Sequence, residues 1–98
     1  VSNVLLEAAL EVIRVRRAQA RRTGIDLLGV VGSVARGEAG PDSDIDIAYA
    51  IVGEPSLFDL GGLQMDLQDD LRRRVDMVDF QRIKPRFRAD MERDLVRA

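Results

Sequence analysis

Val30-Val31-Gly32-Ser33-Val34-Ala35-Arg36 and, separated from Ser33 by ten intervening residues, Asp44-Ile45-Asp46-Ile47 are the two segments from which the rest of the chain can be organised. The apolar run Ile25 to Val31 reads as a buried strand, and Ser33 to Arg36 is expected to open one or two turns of helix. Gly32 lets a backbone approach an oxygen without a Cβ in the way, Ser33 adds a hydroxyl, and the amides of a helix start point toward negative charge. Such a turn can cradle a phosphate. A Gly-Ser pair after a strand is also an ordinary turn and decides nothing alone.

The second segment supplies carboxylates. Asp44 to Tyr49 alternate so that on a strand Asp44 and Asp46 share one face while Ile45 and Ile47 turn to a core. Like charges about 4 Å apart repel by roughly 4 kcal/mol at an effective dielectric near 20, so such a pair holds either a proton or a cation. Mg²⁺ is the natural filler, because it takes a few carboxylates and completes its shell with water and phosphate oxygens. The plainer reading is a solvated strand edge.

Val75-Asp76-Met77-Val78-Asp79-Phe80 reads as a third strand. If it lies beside the second, Asp76 joins Asp44 and Asp46 in a three-carboxylate cluster with room for two ions, where Asp76 accepts a proton from an attacking hydroxyl or positions the second metal. Asp79, at odd spacing from Asp76, is expected on the other side. The alternative for Asp76 is a surface ion pair with Arg72, Arg73 or Arg74.

Composition removes competing chemistries. The chain has 98 residues and no Cys or His, which excludes thiol nucleophiles, Ser-His-Asp relays and histidine-ligated zinc. Lys84 is the sole lysine and no Gly precedes Lys-Ser or Lys-Thr, which excludes a Walker-type P-loop. With 46% hydrophobic residues the sequence predicts one domain over 1–98, leaning on a partner because so short a chain buries a small share of its surface. No membrane-span pattern or secretory signal is visible, and a cytoplasmic setting is expected. A net charge of -2 gives no global pull toward nucleic acid or membrane.

The remaining elements follow from periodicity. Val4, Leu5, Ala8, Ala9, Val12 and Ala20 place a first helix from Asn3 to about Arg22, with Ser2 or Asn3 as N-cap and Gly24 as stop. Gly37 to Ser43 is a loop, and the second strand is expected over Ile45 to Val52. Leu60, Leu63, Leu67 and Leu71 mark a helix capped near Ser56, weakened by Gly61-Gly62, that carries the crossover to the third strand. Ile83, Phe87, Met91 and Leu95 mark a last amphipathic helix after Pro85. The predicted class is α+β (α/β), a small mixed β-sheet with helices packed on it.

Gly32-Ser33, Asp44-x-Asp46 and Val75-Asp76-Met77-Val78, taken together from Ile25 to Phe80, resemble the nucleotidyltransferase superfamily of DNA polymerase beta, specifically its minimal nucleotidyltransferase branch. The resemblance implies the nucleotidyltransferase fold and Mg²⁺-dependent transfer of a nucleoside monophosphate, AMP from ATP, with release of pyrophosphate. Carried over by position, Gly32 and Ser33 hold the triphosphate, Asp44 and Asp46 the metals, and Asp76 is the third carboxylate. Arg36 and Ser43 are further nucleotide-binding candidates, Arg36 having Glu38 or Asp42 as competing partners. Position 34 is Val where the family often has a larger side chain. The resemblance further implies an antitoxin paired with a HEPN-domain ribonuclease toxin, silenced through adenylylation of a tyrosine. The alternative is a non-catalytic antitoxin that occludes the toxin by binding, with Ile83, Phe87, Met91 and Leu95 either a docking surface or core. Transfer to a small molecule or RNA end is a third reading, for which larger relatives use an extra domain. The arginines at 14, 16, 17, 21 and 22 are expected on a solvated helix face, favoured by the helix dipole, and Tyr49 is expected to be packed.

Overall fold

The structure, a computed structural model, describes residues 4–98. Helix α1 (Val4–Thr23) leads into β1 (Ile25–Val31), the four-residue α2 (Gly32–Ala35), β2 (Ile45–Ile51), α3 (Leu57–Leu71) and β3 (Val75–Asp79). A 3-10 turn (Phe80–Arg82), α4 (Pro85–Asp94) and β4 (Val96–Arg97) complete the chain. The strands form one mixed sheet in the order β3-β2-β1-β4. The β1–β2 and β1–β4 pairs are antiparallel, and β2–β3, joined by the α3 crossover, is parallel.

Register divides the sheet into two faces. Pairs Leu27↔Tyr49, Val30↔Ile47, Ile47↔Met77 and Ile45↔Val75 direct one set of side chains to a single apolar cluster. Helices α1 and α3 close that cluster with Leu6, Leu10, Ile13, Leu63 and Leu67. The pairs Val31↔Asp46 and Asp46↔Asp76 belong to the opposite face. Val31 and Ala48 are fully buried there yet stand outside the main cluster.

The sequence expectations need several corrections. Helix α1 buries Leu6, Ala9, Leu10, Ile13 and Ala20, while Val4 is 72% exposed. Nearly every residue from Val4 to Ile13 is apolar, so the pattern fixes a helix without fixing which face is inward. The expected N-cap at Ser2 or Asn3 lies outside the described residues. Helix α2 begins at Gly32, and β2 and β3 end at Ile51 and Asp79, one residue short of expectation. In α3, Ser56 Oγ accepts from Asp59 N at 3.0 Å and Asp59 Oδ2 accepts from Ser56 N at 2.8 Å, a reciprocal cap that sustains the helix through Gly61 and Gly62. Helix α4 buries none of its residues fully, so its apolar stripe is not core. Strand β4 has two residues, too few for any pattern to announce it; it reaches β1 because a Cβ at Gly29 would strike the Val96 carbonyl. Among the described residues no helix is long and apolar enough to cross a membrane.

Candidate active site

The turn from β1 into α2 lies directly over β2. Gly32 has φ +77°, in the left-handed region, and a Cβ there would collide with Asp46 Oδ2. Glycine is therefore favoured twice, by the backbone conformation and because a Cβ would have to displace the Asp46 carboxylate. Val31, the N-cap of α2, offers no side-chain oxygen to the amides that follow. Ser33 is half-buried, and among the described residues its hydroxyl has no hydrogen-bond partner.

Parallel pairing puts Asp76 beside Asp46 as its register partner. Burial first, then the charges of Asp76 and Asp44, push the Asp46 carboxyl above its usual range, with Arg36 pulling the other way. Asp44 precedes β2 and is half-buried, with Oδ2 3.9 Å from Arg74 Nε. Among the described residues no three Asp, Glu, His or Cys side chains form a ready metal-ligand set. The donor chemistry nonetheless suits a hard divalent cation: adjacent carboxylates crowd one another, and Asp46 carries the electrostatic cost. Asp46 and Asp76 are register partners on adjacent strands, while Asp44 lies within 3.9 Å of Arg74.

Helix α3 sets the height of Asp76. Val75 N donates to Gln68 Oε1 at 3.1 Å and Gln64 Nε2 donates to the Val75 carbonyl at 2.7 Å. The α3–β3 turn also pins the loop ahead of Asp44, since Arg73 donates from one nitrogen to the carbonyls of Pro41 at 2.8 Å and Ser43 at 3.1 Å. Sequence reading missed Gln64, Gln68 and Arg73. A pair of glutamines four apart on a crossover helix is a signal only once the strand it faces is known.

The other candidates fall as follows. Arg36 is exposed and donates from Nε to Glu38 at 3.1 Å and from NH1 to Asp94 at 2.8 Å, so Asp94 of α4 takes the place expected of Asp42. Ser43 Oγ accepts from Gly40 N at 2.7 Å and closes the loop, which engages the hydroxyl expected to meet a nucleotide. Asp79 pairs with Tyr49 on the face away from Asp76 and caps the 3-10 turn, and Tyr49 is packed, both as expected. In α1, Arg16 holds Asp70 at 2.7 Å, Arg17 donates to the Ala98 carbonyl at 2.8 Å and Arg21 meets Asp26 at 3.0 Å, so three of the five arginines tie the helix to the rest of the fold.

A strand-turn-helix with glycine over a strand carboxylate, followed by a parallel crossover that delivers a second carboxylate, defines a nucleotidyltransferase-type site. Residues 15–95 match the polymerase beta, nucleotidyltransferase family, and the chain belongs to it. It is similar to the protein adenylyltransferase MntA of Thermococcus cleftensis, 44% identical over 57 residues, and spans 58% of that relative's length and 58% of its own. A solved chain provisionally described as a minimal nucleotidyltransferase superposes with a TM-score of 0.71 at 36% identity, over 91% of this chain and 95% of that one. A toxin-antitoxin crystal structure with AMP-PNP superposes with a TM-score of 0.59 at 24% identity, over 76% of this chain and 60% of that one, and shares the fold. The sequence expectation of a small mixed sheet with the minimal nucleotidyltransferase fold is met.

Proposed function

We propose that this chain is a Mg²⁺-dependent nucleotidyltransferase antitoxin that moves AMP from ATP to a hydroxyl, a tyrosine, of a HEPN-type ribonuclease toxin and thereby silences it. The observation that carries this reading is the register of Asp46 with Asp76 beneath the Gly32 turn, supported by the resemblance to MntA. Gly32 and Ser33 seat the triphosphate. Bound Mg²⁺ would be held by Asp44, Asp46 and Asp76 and would supply charge neutralisation at the phosphates and a lower pKa for the attacking hydroxyl. Asp76 takes the proton from that hydroxyl as its oxygen attacks the α-phosphorus, and the bond to pyrophosphate breaks. Arg36, anchored by Glu38 and Asp94, keeps unengaged N–H groups for a phosphate oxygen.

A second reading is favoured by one feature. On α4, Phe87 is 49% exposed and, with Ile83 and Met91, borders a groove of about 490 Å³, a surface on which a partner can sit without chemistry. Asp44→Asn/Asp46→Asn separates the two. Incubation of the chain with labelled ATP, Mg²⁺ and the product of the neighbouring gene should label that protein for the parent and not for the variant. A double variant that still protects cells from the toxin at equal expression establishes silencing by binding alone.

A further inference from the structure

The turn between α3 and β3 carries three consecutive arginines that the transfer chemistry does not use. Arg72, Arg73 and Arg74 form one wall of a cavity of about 310 Å³, with Pro41, Asp42, Ser43 and Asp44 on the other. Because Asp44 lines it, the cavity opens beside the carboxylate site, on the β3 side and away from the β1–α2 turn. Arg73 is fixed by its two carbonyl acceptors and holds the walls together. Arg74 has a side chain 75% exposed and, among the described residues, only the 3.9 Å contact to Asp44. Arg72 is exposed and has no ion pair among the described residues. It also adopts φ 52° at the C-cap of α3, where glycine or asparagine is the usual occupant. Arg73 is spent on the Pro41 and Ser43 carbonyls, and the guanidinium groups of Arg72 and Arg74 line the cavity without a close carboxylate partner among the described residues.

We infer that Arg72 and Arg74 form an acceptor-side subsite that binds acidic side chains flanking the hydroxyl to be modified. The inference rests on the transferase reading above and adds the chemistry of the acceptor. Planar guanidinium groups match carboxylates bidentately. A nucleic-acid strand fits less well: it needs a continuous basic track, whereas Asp42 and Asp44 face the arginines here and the chain carries a net charge of -2. An acidic peptide can place one or two carboxylates on the arginine wall and leave the aspartate wall untouched.

The test uses the full chain with fluorescein-labelled decapeptides containing one tyrosine among glutamates or among lysines, and an oligouridylate of equal length, read by fluorescence anisotropy. The acidic peptide should bind more tightly than the other two. Arg72→Glu/Arg74→Glu should reverse the order of the peptides, and Arg72→Gln/Arg74→Gln should weaken the acidic one at least about tenfold. The Gln variant serves if the charge reversal does not fold. ATP binding, followed in parallel, should change by less than about twofold. Equal affinity for both peptides, tighter binding of the oligouridylate, or loss of ATP binding in step with peptide binding overturns the subsite. Arginine-dependent peptide binding combined with no labelling of the toxin in the assay above would leave an acidic-peptide site standing and sink the transferase reading and the acceptor role instead.

Discussion

The two turns that flank the carboxylates, Gly32–Ala35 and Arg72–Arg74, both meet a left-handed backbone, and they meet it in opposite ways. At Gly32 the residue suits the left-handed conformation, and an added Cβ would have to displace the Asp46 carboxylate. At Arg72 a long cationic side chain sits at φ 52° although a glycine would be easier. The first turn is therefore dictated by packing. The second keeps a costly residue at a place where packing asks for none, and that contrast is what the proposed acceptor subsite would account for.

The largest expected effect falls on the first turn's neighbour. Asp46→Asn should lower AMP transfer by roughly two to four orders of magnitude, since it removes a carboxylate from the cation-binding pair while keeping its shape. Single-turnover labelling with ATP checks this, and transfer within tenfold of the parent would mean that Asp46 is not part of the reaction centre. Gly32→Ala comes next. A methyl group driven into Asp46 in a strained backbone should cost about 1–3 kcal/mol in urea unfolding and weaken ATP binding as well. A variant of parental stability would show that the turn relaxes freely.

Much of this site is legible in the sequence. Gly32-Ser33 and Asp44-x-Asp46 are local, so their strand parity and turn chemistry can be read from spacing alone, and Asp76 followed once a crossover helix was recognised from Leu63 and Leu67. What stayed hidden depends on distant contacts. Asp94 meets Arg36 across 58 positions, and Arg73 meets Pro41 and Ser43 across 32 and 30. Ser43 reads as a nucleotide-binding candidate because the loop turn its hydroxyl closes with Gly40 leaves no periodic trace. The inward face of α1 was misplaced because a nearly all-apolar stretch has no phase.

The second turn offers a sharper comparison. Arg72→Gly should stabilise the chain by about 1 kcal/mol, by relieving the left-handed conformation, while weakening the acidic decapeptide. Stability and binding then move in opposite directions at one residue, whereas at Gly32 they fall together. Loss of stability at Arg72→Gly would show that its side chain supports the fold and would remove the contrast. Gly61→Ala/Gly62→Ala, in the helix leading to this turn, is the control. Neither glycine has a neighbour within 4 Å of an added Cβ, so the pair should gain about 1–2 kcal/mol from helix propensity with no effect on peptide binding.

The smallest effect concerns charge at the first turn without any cation. Burial and the neighbouring carboxylates hold Asp46 above its ordinary value, so the unfolded chain releases this proton at lower pH than the folded one does. Between the two values the folded state binds more protons, and its stability falls as pH rises from the ordinary carboxylate range through the raised one. Asp70 works in reverse, lowered by its hydrogen bond from Arg16, so the total profile mixes opposite slopes. The difference between the parent and Asp46→Asn isolates one of them. In metal-free buffer the variant should unfold at a higher temperature than the parent at neutral pH, the gap should close as pH drops toward the ordinary carboxylate value, and added Mg²⁺ should close it from the other side by stabilising only the parent. A gap that is constant with pH and unmoved by Mg²⁺ would mean that Asp46 is neither crowded by Asp76 and Asp44 nor relieved by a cation, and the two turns would then differ in shape alone.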